Sequence, residues 1–134
     1  MRLGAREVFA YILSRMGCVH PFVASRVAAL ADLASLEERG ERLTQLRYRQ
    51  GPGVIYIEGL KELVEGDPCF AKHEGDPSTG RRGCIEYRCE PPRLPQEAAE
   101  LLDRAVDEAR GLDEAALNEK VVGHPLFPKL VEAA

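Results

Sequence analysis

The chain has 134 residues, of which 45% are hydrophobic and 30% are charged, as is ordinary for one globular domain. Its net charge of −4 argues against broad binding to nucleic-acid backbones, which usually needs a basic face. No apolar run reaches the ~20 residues of a membrane-spanning helix. The N-terminal apolar stretch contains Glu7 and Arg15, unlike a signal peptide, so we expect a cytoplasmic protein.

Two helices are predicted for the first forty residues. Residues 4–16 repeat apolar side chains at helical spacing, and Gly17 is a plausible end. A second helix is predicted for residues 21–39, because proline favours the first helical position and Gly40 suits the position after the last one.

An arginine-rich segment follows, with the sequence ERGERLTQLRYRQGPG from Glu38 to Gly53. In an extended chain Leu46 and Tyr48 share one face while Arg47 and Arg49 share the other. We therefore predict a structured corner that buries its apolar residues and displays its arginines. The alternative is a solvated corner whose arginines form ion pairs with nearby glutamates. Because it is the only aromatic residue there, Tyr48 is interpreted as a half-buried core residue, not a base-stacking platform.

The pattern changes twice after this corner. A turn is predicted at Gly51-Pro52-Gly53, then a third helix from about Tyr56, although VIYIE alone could be a short strand. Residues 67–93 lose the helical period and contain turn formers, which predicts a β-hairpin between the extended runs Cys69–His73 and Cys84–Cys89.

Two further helices are predicted in the last third of the chain. One is predicted for about 95–110, and another begins after Asp113 as N-cap and ends at Gly123, before a short bent tail. The predicted class is mainly α (α+β), a compact domain of five or so helices with one inserted β-hairpin. Its single domain divides into N-terminal helices and corner (1–66), hairpin (67–93) and C-terminal helices (94–134).

The cysteines of the hairpin allow three interpretations. Cys69, His73, Cys84 and Cys89 supply three thiols and an imidazole, which zinc accepts in a tetrahedral structural site. Their spacing is looser than a C-x2-C knuckle and fits a Cys69–Cys89 disulfide equally well. The thiols could also be free and buried. Free or bridged cysteines are preferred over zinc, so no cofactor is expected. Cys18, two residues from His20, is interpreted as a helix-cap cysteine and not as part of a reactive pair.

Catalysis and DNA binding have weaker support. The chain has no phosphate loop, no G-x-S-x-G and no H-E-x-x-H motif, so no enzyme is expected. Helices followed by a hairpin are the order of a winged-helix regulator, with Arg81 and Arg82 at the wing tip, where they could contact phosphates. The second helix is mostly apolar or acidic, so a nucleic-acid partner is not expected.

The composition also indicates the host. The chain has one asparagine and three glutamines, while glutamate and arginine dominate its charges. Few amide and many ionic side chains are typical of thermophile proteins. This matters because intracellular proteins of hyperthermophiles can contain disulfides.

The order of motifs resembles the Panacea domain, the SocA-like antitoxin family. The matching motifs are a Leu/Ala-rich helix, a glycine, an L-T-x-L-x-Y segment, a G-P turn and a helix with an L-x-x-L pair: Leu30–Leu36, Gly40, Leu43–Tyr48, Gly51-Pro52 and Leu60–Leu63. Leu112, Leu117 and His124 lie near places where the family has a C-terminal pattern.

The resemblance implies a non-catalytic protein-binding module that neutralises or delivers a toxin-like partner by direct contact. By analogy, the partner surface is expected at the corner and along the second helix. The residues implied in partner binding are Arg42, Arg47, Tyr48, Arg49 and Gly51.

Overall fold

The structure is a computed structural model that describes residues 2–51 and 54–132. These residues form six helices and two antiparallel two-stranded hairpins. In chain order the elements are α1 (Ala5–Met16), α2 (Pro21–Arg39), β1 (Tyr48–Gly51), β2 (Val54–Ile57), α3 (Leu60–Gly66), β3 (Phe70–His73), β4 (Cys84–Tyr87), α4 (Gln96–Arg110), α5 (Glu114–Val122) and α6 (Phe127–Glu132).

Helix α2 lies at the centre of the fold. Every residue from Ala24 to Leu33 is buried, and α1, α4, α5, α6 and β2 pack around it. A helix that is mostly apolar on every side is stable only when neighbours cover all of its faces. Pro21 occupies its first position, and Nδ1 of His20 accepts a hydrogen bond from the Phe22 amide at 3.0 Å. Gly40 ends the helix with a φ of 72°, a backbone conformation that glycine adopts without strain.

The two hairpins lie beside this helical core. Strand β1 pairs with β2 so that Tyr48 is opposite Ile57, and β3 pairs with β4 so that His73 is opposite Cys84. Backbone hydrogen bonds between Val19 and Ile85 attach the link between α1 and α2 to the second hairpin. The mainly α (α+β) class is therefore confirmed, with one hairpin more than predicted.

The predicted third helix is wrong at its start, where the structure has the short strand that the sequence left open as an alternative. Tyr56 lies in β2, and α3 begins only at Leu60. Ile55 and Ile57 are buried while Tyr56 is 54% exposed, so this segment alternates with the period of a strand. The predicted turn extends over Pro52 and Gly53, which lie outside the described residues.

The C-terminal tail is helical where a bent tail was predicted. Helix α6 buries Phe127 and Leu130 and contacts α2 and β1. The helix at 95–110 and the helix beginning after Asp113 are confirmed, and the Asp113 carboxylate accepts from the Ala116 amide at 2.8 Å.

Candidate functional site

The predicted corner is organised by the Asp32 cluster, which consists of Asp32, Arg42, Thr44 and Tyr48. Oδ1 of Asp32 accepts from the backbone amides of Leu43 and Thr44, each at 2.9 Å. Its Oδ2 accepts from the Thr44 hydroxyl at 2.6 Å and the Tyr48 hydroxyl at 2.8 Å. The Arg42 guanidinium donates to the same oxygen at 3.1 Å. One buried carboxylate of α2 thus fixes the path of the L-T-x-L-x-Y segment.

Two of the residues implied in partner binding are therefore interior. Arg42 is 7% exposed and Tyr48 is fully buried, so neither side chain forms part of the surface that a partner could contact. The prediction that the corner displays all its arginines is wrong for Arg42. The reason is the carboxylate of Asp32, which is buried and needs a cation and several donors.

The other three implied residues are at least partly exposed and lie in β1 or directly before it. Arg47 is exposed, while Arg49 and Gly51 are half-buried. Nε of Arg49 lies 2.7 Å from Oε2 of Glu58, so its charge is partly neutralised across the hairpin. These three positions remain candidates for a partner contact.

We expect Tyr48→Phe to reduce the loss of stability at alkaline pH. Burial, together with the charge of Asp32 and the hydrogen bond to it, raises the pKa of the Tyr48 phenol well above its ordinary value of 10.0. The unfolded chain therefore releases this proton near pH ~10 while the folded chain retains it. The free energy of unfolding then falls as the pH rises above about 10, and the phenylalanine variant lacks this contribution.

Urea unfolding at pH ~9 and ~11 measures how much the free energy of unfolding changes with pH. This change can be compared between chains whatever their stability at neutral pH. Tyr56→Phe is the matched control, because that side chain is 54% exposed. An equal pH slope in Tyr48→Phe and in the native chain would contradict this account.

A separate apolar groove opens between the start of α2, strand β2, helix α3 and the second hairpin. Its volume is about 430 Å³. Tyr56, at its edge, is the one exposed large hydrophobic residue in the described part of the chain. The lining is mostly apolar: Pro21, Phe22, Ile55, Tyr56, Ile57, Leu60, Val64 and Ile85, with Ser25, Arg26, Lys61, Glu65 and Lys72.

Arg26 supplies a buried positive charge to this groove. It is 3% exposed and its guanidinium lies 3.7 Å from the centre of the Phe22 ring. It donates to neutral acceptors, namely the Ser25 hydroxyl, the Ile55 carbonyl and the Asn118 amide oxygen. No described carboxylate forms an ion pair with it. Burial lowers the pKa of Arg26, and the more distant charge of Glu114 opposes this effect.

The rim of the groove is positive although the whole chain is negative. Lys61 and Lys72 are exposed there and Glu65 is the only acid in the lining. Nζ of Lys72 lies 3.6 Å from a carboxylate oxygen of Glu74, a weak exposed contact. The groove therefore favours an apolar occupant that carries negative charge.

The four cysteines form two disulfides. Cys69 is bonded to Cys89, one of the three arrangements that the sequence left open. Cys84 is bonded to Cys18, which was interpreted as a helix-cap cysteine. The four candidate zinc ligands do not come together, because His73 and Cys84 lie at one end of the hairpin and Cys69 and Cys89 lie beyond its opposite end. Four residues of strand separate the two ends by about 13 Å.

The charge at the tip of the second hairpin gives little support to a wing-like role, although Arg81 and Arg82 are both exposed. Arg82 forms an ion pair with Glu114 of α5, so part of the positive charge expected at the tip is neutralised.

Among the described helices, none is both long enough and apolar enough to cross a lipid bilayer.

Comparison of the chain with protein-family models, with curated proteins and with solved structures found no match. The resemblance to the Panacea domain therefore remains a prediction from the quoted motifs.

Proposed function

We propose that this chain is a non-catalytic protein-binding module of the antitoxin type, which holds a toxin-like partner in the apolar groove. The observation that carries the proposal is the groove itself, with exposed Tyr56 at its edge and buried Arg26 in its wall. Tyrosine and arginine, together with tryptophan, are the residues most enriched among the dominant contacts of protein interfaces.

The charges of the groove support one chemistry for the partner segment. Arg26 is buried without an ion-pair partner among the described side chains, and a buried cation is costly unless an anion compensates it. Lys61 and Lys72 add positive charge at the rim. The expected occupant is an extended or helical segment with apolar side chains and at least one carboxylate that reaches Arg26.

The corner extends this surface in the proposal. Arg49 belongs to β1, which pairs with the strand that contains Tyr56, and it is directly opposite Tyr56 in the register. Arg47 immediately precedes β1. A partner that binds in the groove and contacts Tyr56 can therefore also contact the neighbouring strand β1. The proposal therefore includes Arg47 and Arg49, which the family resemblance implies in partner binding, in the surface beside the groove.

Co-expression with the product of the neighbouring gene tests the proposal. If that product arrests growth, this chain is expected to restore growth and to co-purify with the toxin. Tyr56→Ser is expected to weaken the complex at least about tenfold, as is typical of a central aromatic contact. Because Tyr56 is 54% exposed, the substitution should leave the stability of the free chain nearly unchanged.

The matched pair Lys61→Glu and Lys129→Glu separates groove contacts from general charge effects. Both lysines are exposed, but only Lys61 lines the groove. Lys61→Glu is expected to slow association and to change its salt dependence, while Lys129→Glu should behave like the native chain. A neighbouring protein that is neither toxic nor bound, or equal losses in the two variants, would overturn the proposal.

A further inference from the structure

A second cluster of reactive side chains lies where the link between α1 and α2 meets the second hairpin. We call it the thiol–imidazole cluster, and it consists of Cys18, His73, Cys84 and Glu86. The backbone of Val19 holds this link beside β4, with hydrogen bonds to Ile85 of 3.1 Å and 2.8 Å. None of these four residues lines the apolar groove, so the cluster is separate from the surface of the proposed function.

The register of the hairpin places three members of the cluster on one face. His73 is directly opposite Cys84, and side chains two residues apart in a strand point to the same side, so Glu86 joins them. Nε2 of His73 lies 3.0 Å from Oε1 of Glu86. Ligand atoms of Cys18, His73 and Glu86 all lie within 4.8 Å of one another, and Sγ of Cys84 is bonded to Sγ of Cys18.

We propose that reduction of the Cys18–Cys84 disulfide creates a site for one Zn²⁺ ion, held by both thiolates, His73 and Glu86. Two sulfurs, one imidazole nitrogen and one carboxylate oxygen are all donors that zinc accepts in a tetrahedron. At zinc–ligand distances of about 2.0–2.3 Å, tetrahedral ligands lie roughly 3.3–3.8 Å apart. Side-chain rotation must therefore adjust the cluster in both directions. Separations near the 4.8 Å limit close by about 1 Å, whereas the 3.0 Å contact between His73 and Glu86 and the two sulfurs, once the disulfide is reduced, must move apart.

The surroundings of the cluster suit this change. Cys18 and His73 are exposed and Glu86 is half-buried, so the ion has an open path and the side chains can rotate. Nε of Arg88 donates to Oε1 of Glu86 at 2.7 Å. This bond orients the carboxylate, as partners of metal ligands commonly do.

The redox step balances with a phosphine reductant. The phosphine attacks one sulfur, the S–S bond breaks, and water supplies the oxygen of the phosphine oxide and the two protons of the thiols. Zinc then displaces both thiol protons into solvent. The oxidised chain lacks both thiolates and offers only His73 and Glu86, which is too few ligands for a structural zinc site.

Zinc titration of the reduced and oxidised chains, in competition with a chromophoric chelator, tests the proposal. In a Cys69→Ser/Cys89→Ser chain the only cysteines are those of the cluster, and we expect one Zn²⁺ per reduced chain and none per oxidised chain. His73→Ala is expected to weaken binding by at least about tenfold, the smallest loss typical of a residue that supports a metal. His124→Ala is the matched control, since His124 contacts Glu37 elsewhere.

Alkylation of the reduced native chain gives a second measurement that does not depend on the folding of any variant. Bound zinc should protect Cys18 and Cys84 from iodoacetamide while Cys69 and Cys89 react, as read by peptide mass spectrometry. Zinc near zero in the reduced chain, protection of Cys69 and Cys89 instead, or equal losses in His73→Ala and His124→Ala would overturn the proposal.

Discussion

Asp32→Asn is expected to lower the free energy of unfolding by about 3–5 kcal/mol, which is the usual cost of removing one partner from a buried ion pair. Asp32 is completely buried and accepts hydrogen bonds from two backbone amides, two hydroxyls and Arg42. Asparagine has one carbonyl oxygen where aspartate has two acceptor oxygens, so it cannot accept all five bonds. It also leaves the charge of Arg42 buried without compensation.

Urea unfolding of the purified variant measures this loss, and Asp107→Asn is the matched control. Asp107 has a 77% exposed side chain and lies 3.6 Å from Arg110, so its replacement should change stability by less than about 1 kcal/mol. Adding Arg42→Met to Asp32→Asn should recover part of the loss, because the second change removes the uncompensated cation. Equal losses in the two asparagine variants would contradict the role of the cluster.

This result bears on how partner binding should be tested. Replacing Arg42 or Tyr48 would weaken a complex by destabilising the corner, even if neither side chain contacts the partner. Replacing Arg47, which is exposed, changes the surface with little effect on folding. A binding defect in Arg47→Ala is therefore informative about contact, whereas a defect in Arg42→Ala is not.

The parts of the fold that local chemistry determines could be predicted from the sequence. Pro21 and Gly40 delimit α2, and Asp113 begins α5, because helix ends depend on residues within one turn. The second hairpin followed from its lost helical period and its turn formers. At Val54–Ile57 the sequence allowed a helix or a strand, because four apolar residues fit both until their partner strand is known.

The candidate sites depend on contacts between distant residues, which a single sequence does not specify. Asp32 binds side chains of the corner that lie 10 to 16 residues further along the chain. The only feature of the sequence that could have indicated these contacts is an acidic residue inside an apolar helix. The groove combines residues from Pro21 to Ile85. Its apolar residues looked like ordinary core until the structure placed Tyr56 at the surface.

The two disulfides bear on the predicted cytoplasmic location. Disulfides persist in oxidising compartments and are rare in the cytosol of mesophiles, but intracellular proteins of hyperthermophiles contain them. The predicted cytoplasmic location is consistent with them if the host is a thermophile, as the low asparagine and glutamine content indicates. In a reducing cytoplasm, the cluster around Cys18 would instead be in the thiol form in which we propose that it binds zinc.

Replacing Cys18 and Cys84 together with serine is expected to lower the free energy of unfolding by about 4 kcal/mol in metal-free, oxidising buffer. The two cysteines are 66 residues apart, so their bond removes many conformations from the unfolded chain. Cys69 and Cys89 are only 20 residues apart, and the same chain-entropy argument gives about 3 kcal/mol for that pair. The longer loop should therefore contribute about 1 kcal/mol more.

Chemical unfolding of the two double-serine variants side by side tests this difference, since both replace one disulfide with two hydroxyls. A chelator in the buffer prevents zinc from compensating for either change. The Cys18–Cys84 bond also joins the α1–α2 link to β4, where the backbone of Val19 and Ile85 supplies the neighbouring contacts. If those contacts hold the link in place without the disulfide, the whole loss in the free energy of unfolding comes from the unfolded state. The folded Cys18→Ser/Cys84→Ser chain should then keep the native near-ultraviolet circular dichroism at denaturant concentrations below its unfolding transition. A smaller loss for Cys18→Ser/Cys84→Ser than for Cys69→Ser/Cys89→Ser would show that loop length does not set the contribution of these disulfides.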